Sequence, residues 1–218
     1  MLPADLADHI TRKVEDWREA THEKGELKWV KVSKKKYRMY RNFAIATLAR
    51  IRSLEMSFKS TIITQNDIDF KRFHNNDEEL GLAKLTYQFL YHSFLKSMYA
   101  GDRVEIFLDP RPKPWSLNEL CSCLNSKCKD EHGWTPVNSV ATVDSKLSTI
   151  MQMNDILLGA VGFHANSRHT LPTSRQPKKD LAALIANEME LTDLCGPTSR
   201  DMANFGIWRF KFKTKKAP

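Results

Sequence analysis

Three carboxylates stand where a carboxylate can do chemistry. Asp109 closes VEIFLD, residues 104–109, a nearly all-apolar run followed by the rigid loop PRPKPW. The carboxyl ends of strands in open α/β sheets are where functional side chains collect. Asp155 lies in QMNDILLGA, among Met151, Met153, Ile156, Leu157 and Leu158. A carboxylate on so apolar a helix either sits at its exposed edge or is held by a metal or a partner. Glu26 stands in GELKWVKVS beside two lysines and a tryptophan. Each also has an ordinary reading. Asp109 can start a turn, Asp155 can face water, and Glu26 can be a surface charge. Spacing leaves open whether the three converge.

The basic residues offer a second chemistry. Lys34, Lys35 and Lys36, with Arg38 and Arg41, form either a solvated helix face or a strip that tracks phosphates. Lys211, Lys213, Lys215 and Lys216 alternate with apolar residues, as in an edge strand guarded by lysines. His164 and His169 follow the Asp155 helix and could assist proton transfer, although a chain with 7 histidines places some there by chance. The five tryptophans are scattered through mixed segments, which reads as packing before base stacking. Cys121, Cys123, Cys128 and His132 form a C-x-C-x4-C-x3-H string. Leu117, Leu120, Cys121, Leu124 and Cys128 recur at helical spacing, so the cysteines extend an apolar helix face in preference to a zinc knuckle. No phosphate-binding P-loop, dinucleotide-binding glycine motif, nucleophile elbow or H-E-x-x-H string occurs. Nucleotide triphosphatases, dinucleotide oxidoreductases, common serine hydrolases and zincin proteases are thereby disfavoured.

The elements that must position these residues follow from periodicity. The spacing predicts a helix over 4–24, an extended piece at GELKWVKVS, and a helix over 34–52 capped by Ser33. A strand is expected at 55–64, then a polar loop and a helix over 79–99. VEIFLD is expected to be a strand buried on both faces. The cysteine helix follows it, then a strand at 137–145, and helices at about 147–164 and 178–190. The tail FGIWRFKFKTKK reads as an edge strand. Strands alternating with helices give an α/β sandwich with a central mixed sheet.

Composition bounds the rest. The 218 residues are 41% hydrophobic and 28% charged, as in a globular chain, with a net charge of +8. That charge favours polyanionic partners, nucleic acid first. No apolar run approaches the roughly 20 residues of a membrane span. The first residues lack the apolar core of a signal peptide, so a reduced, cytoplasmic setting and no membrane association are expected.

GELKWVKVSKKK, VEIFLDPRP and VDSKLSTIMQMNDILLGAV resemble the prokaryotic domain-of-unknown-function family numbered 3800. The resemblance runs from about Gly25 to Val161, with a weaker match at FGIWRFKF. It implies a single ribonuclease H-like domain over residues 1–218, a three-layer sandwich. It also implies a metal-dependent nuclease in which two magnesium or manganese ions activate water for phosphodiester cleavage. Carried over by position, Glu26, Asp109 and Asp155 would be the catalytic metal ligands. Lys28 and Lys146 would meet phosphate beside Lys34, Lys35 and Lys36.

Family members begin with a strand carrying D-E-S-G, which this sequence lacks. The N-terminal strands of the sandwich are therefore expected to be missing, either because the chain is a fragment with a late start and the domain incomplete, or because the protein is a degraded relative that has lost activity. Self-association through an unpaired sheet edge is then expected, with cleavage slow or absent. The second reading is a non-catalytic nucleic-acid-binding or accessory protein on the same scaffold. The charge suits DNA and RNA alike.

Overall fold

The computed structural model describes residues 1–21, 25–64, 77–111, 116–199, 202 and 204–210. The described residues gather into two compact units, one within Met1–Ile63 and Ser145–Phe210, the other within Thr64–Asp144. The class is mixed α/β, with six α-helices and four strands among the described residues. None of those helices is long and apolar enough to cross a membrane.

The first unit is built by helices α1 (Ala4–Thr21), α2 (Tyr37–Arg52), α5 (Thr149–Ala165) and α6 (Gln176–Glu188), and by strands β1 (Phe58–Ile62) and β4 (Phe205–Arg209). Apolar residues of α2 recur at helical spacing, and Tyr40, Phe43, Ala44, Leu48 and Ile51 are all buried. They pack with Ile156, Leu157 and Ala160 of α5 and with Leu181 and Ile185 of α6. Strands β1 and β4 pair in parallel, Phe58 opposite Phe205 and Ser60 opposite Ile207. The Phe58 and Phe205 rings lie 5.1 Å apart across that pair.

The second unit holds α3 (Glu78–Ser93), β2 (Val104–Leu108), α4 (Leu117–His132) and β3 (Val137–Thr142). Its helices start on side-chain caps. Asp77 accepts from the Leu80 N–H at 3.0 Å, and Ser116 from the Glu119 N–H at 3.2 Å. Gly133 ends α4 at φ +81°, a conformation that suits glycine. Tyr91, Leu95, Ile106, Leu120, Leu124, Cys128 and Val137 form the core. Cys128 is buried in it and Cys123 is exposed, as the helical spacing of the cysteine string predicts.

Several expectations change in detail. The expected central mixed sheet is replaced, among the described strands, by two separate two-stranded parallel sheets. Strand patterns are local, whereas partners are chosen over long sequence distances. VEIFLD is not buried on both faces: Ile106 is buried, while Glu105 and Phe107 face solvent. Helix α4 packs on this sheet from one side, so burial alternates along the strand. Ser33 makes no side-chain cap. Lys34–Lys36 form a 3-10 turn, and α2 starts only at Tyr37. The WVK of GELKWVKVS is likewise a 3-10 turn, at Trp29–Lys31. The lysines expected on the edge strand, from Lys211 onward, lie outside the described residues.

Candidate functional site

The segment 25–33 has almost no regular structure, so its backbone N–H groups must find partners elsewhere. It finds them mainly on α5. The Leu27 N–H donates to Gln152 Oε1 at 3.0 Å. The Trp29 N–H donates to Asp155 Oδ2 at 2.7 Å. Between them, the Lys28 N–H reaches the Tyr40 hydroxyl of α2 at 3.4 Å. One turn beyond Asp155, Gly159 leaves room for the indole. A Cβ there would stand 2.2 Å from Trp29 Cγ. Phe163 then meets the Trp29 ring edge-on, with centroids 5.6 Å apart. Residues 152, 155, 159 and 163 form one stripe along α5. The two most distinctive strings of the sequence, ELKW and QMNDILLGA, are the two halves of one docking surface.

Gln152 extends this contact in both directions. It is 1% exposed. Its Oε1 also accepts from Arg18 of α1. Its Nε2 donates to the Ser145 carbonyl at 2.8 Å and to the Lys146 carbonyl at 3.4 Å. One amide therefore ties α1, the 25–33 segment and the turn before α5.

Glu26 sits over this junction with its side chain 6% exposed. Its Oε1 accepts from the Ser145 hydroxyl at 2.6 Å. Lys28 Nζ is 3.0 Å and Lys31 Nζ 3.5 Å from its carboxylate. Burial pushes the carboxyl pKa up, but the Ser145 and Lys28 hydrogen bonds and the two ammonium charges outweigh it. The net shift is downward, and Glu26 is ionised at neutral pH. Lys28 and Lys31 thus share one carboxylate within the fold.

The structure brings Glu26 and Asp155 to the same stretch of chain, residues 26–29. Asp109 lies exposed at the end of β2, in the other unit. Lys146 is exposed, and its carbonyl is held by Gln152. Among the described residues no three His, Cys, Asp or Glu side chains gather so as to hold a metal ion. Glu26 spends its two oxygens on two lysines and a serine, and Asp155 gives one to a backbone N–H. As described, this donor set does not fit a two-ion centre, which needs several carboxylate oxygens open toward the metals. His164 is a core residue: its Nδ1 accepts from the buried Leu194 N–H at 3.1 Å.

The basic strip is presented differently. Lys34, Lys35 and Lys36 are all exposed on their 3-10 turn, and Arg38 and Arg41 are exposed on α2. None of the five joins an ion pair among the described residues. Sequence reasoning missed Gln152, Gly159 and Ser145, the residues that assemble the junction. A buried-looking glutamine on an apolar helix was the available signal, because such a group must be satisfied by partners nearby.

No family model, curated protein or solved structure matches this chain.

Proposed function

We propose that this chain binds nucleic acid through the first unit and does so without needing catalysis. The observation that carries the reading is charge that the fold leaves uncompensated. Lys34, Lys35, Lys36, Arg38 and Arg41 are exposed, close in sequence and outside any ion pair among the described residues. The net charge also lies mainly in this unit: residues 1–63 and 145–210 hold 21 Lys and Arg against 14 Asp and Glu, or +7 of the chain's +8. A basic stripe of this kind is the electrostatic footprint of a phosphate-tracking surface. The resemblance to family 3800 and its ribonuclease H-like scaffold belong to this same proposal, as do a cytoplasmic setting and association through a sheet edge.

Metal-dependent cleavage is the second reading. What favours it is that Glu26, held ionised, and Asp155 meet the same four residues of chain. One experiment separates the two. A labelled single-stranded oligonucleotide is titrated with the full chain and followed by fluorescence anisotropy, and the mixture is then incubated with magnesium or manganese. The binding reading expects saturable binding and an intact oligonucleotide. It expects Lys34→Gln/Lys35→Gln/Lys36→Gln to weaken binding by about tenfold or more at low salt, three phosphate contacts being lost. Absence of binding, or a triple variant that binds like the native chain, sinks it. Metal-dependent cleavage that Asp155→Asn abolishes would put the nuclease reading in its place.

A further inference from the structure

Beside the docked Trp29 the first unit carries a cleft of about 540 Å³. Its floor is α5 at Gly159, Gly162 and Phe163, and its rim comes from Asn166, Arg168 and the stretch Thr173–Lys178 that leads into α6. Arg168, Arg175 and Lys178 line it with Thr173 and Ser174, and among the described residues no carboxylate does. None of the three cations forms an ion pair among the described residues. The contrast with Lys28 and Lys31, both paired with Glu26, is direct. Lys178 Nζ rests 5.5 Å from the Trp29 ring centroid, a cation–π contact that holds its ammonium at the cleft wall. Its pKa is depressed, by burial first and then by the like charge of Arg175. An ammonium half withdrawn from water beside a like charge, as Lys178 is, is costly until an anion compensates it.

We propose that this cleft is a phosphate site, in which Arg168, Arg175 and Lys178 hold one phosphate group of a bound nucleic acid. Two guanidinium forks and an ammonium match the oxygens of a phosphate, and hydroxyls from Thr173 and Ser174 can donate to the remainder. The volume exceeds that of a phosphate and falls in the range of ligand pockets, leaving space for an attached sugar and base. This inference rests on the nucleic-acid reading above and names where in the first unit a phosphate is seated.

Two variants of different kinds test it. Arg175→Gln/Lys178→Gln removes charge. Gly162→Leu keeps the charge and fills the cleft. A Cβ at Gly162 meets nothing within 4 Å, and leucine favours the helix that glycine weakens. The full chain and both variants are titrated by calorimetry with inorganic phosphate, with adenosine monophosphate, and with a single-stranded oligonucleotide lacking terminal phosphates. The expected result is saturable binding of all three to the native chain, with oligonucleotide affinity falling about tenfold or more in each variant. If the oligonucleotide binds the variants as it binds the native chain, the cleft assignment is overturned and the nucleic-acid reading stands. If the native chain ignores the oligonucleotide but binds phosphate and adenosine monophosphate in a way both variants abolish, the source is a small phosphate ester and the nucleic-acid reading falls. If no probe binds in a manner the variants change, the phosphate site is overturned outright.

Discussion

Gln152 uses every hydrogen-bonding position of its amide. Two donors reach Oε1, from Arg18 and Leu27, and Nε2 reaches two carbonyls, of Ser145 and Lys146. A buried amide with all four positions met stiffens what it joins, because any rotation leaves groups unpaired in a dry place. His164 shows the opposite sensitivity, to protons. Its Nδ1 accepts the Leu194 N–H, so that nitrogen carries no proton, and its ring lies 4.3 Å from that of His169. Burial lowers its pKa first, the neighbouring His169 lowers it further, and Asp193 pulls the other way without prevailing. The fold therefore favours the neutral imidazole. Its stabilisation is present above the ordinary value of 6.5 and is lost as pH falls from there toward the depressed value of the folded chain. The buried N-terminal amine of Met1, lowered from 8.0 to about 6 by burial and then by Lys59, already costs stability as pH falls from 8, and thermal melting should decline more steeply below about 6.5 as His164 adds its share. His164→Asn, whose side-chain oxygen can still accept from Leu194, should blunt that decline. An identical decline in the variant would remove His164 as its cause.

At the scale of elements, α5 is the scaffold of the first unit, and two of its glycines do opposite things. Gly159 is needed because the indole of Trp29 occupies the place a side chain would take. Gly162 faces open space. Gly159→Ala should destabilise the chain by about 1–3 kcal/mol through overpacking, offset in part by better helix propensity. Gly162→Ala should stabilise it by about 0.5–1 kcal/mol through that propensity. Urea unfolding of the two variants checks the contrast, and equal effects would mean that Trp29 does not pack as described. The QMNDILLGA string was legible as something special, and its spacing lay in view. A glutamine, an aspartate and a glycine three and four residues apart share one helix face. What could not be seen was their partner, because Leu27 and Trp29 are 125 and 126 residues away from Gln152 and Asp155. The same distance hid the strand pairings. Helix α4 was legible from its apolar stripe, which is local.

Over the whole molecule, net charge is readable from sequence, whereas the compensation of each cation is not. Lys28 and Lys34 look alike in a string of letters, yet one is paired and the other is exposed outside any ion pair among the described residues. If the five cations of the strip each meet a phosphate of a single strand, they contribute about −3.5 to the slope of log affinity against log salt. The triple lysine variant should then be shallower by about 2. An unchanged slope would place the binding surface elsewhere. The pairing of Phe58 with Phe205 has a consequence of another kind, in time. At roughly 5–20 residues per second, a ribosome needs about 7–30 s to pass from one to the other. For most of that interval the apolar face of α2 exists without the whole of α5 and α6, which end at residues 165 and 188, and throughout it β1 exists without β4 beside it. Residues 64–144 emerge meanwhile and can close their own core. The first unit is finished only when its second half arrives, so the time its unfinished half spends open to aggregation and to chaperones is set by the pace of translation.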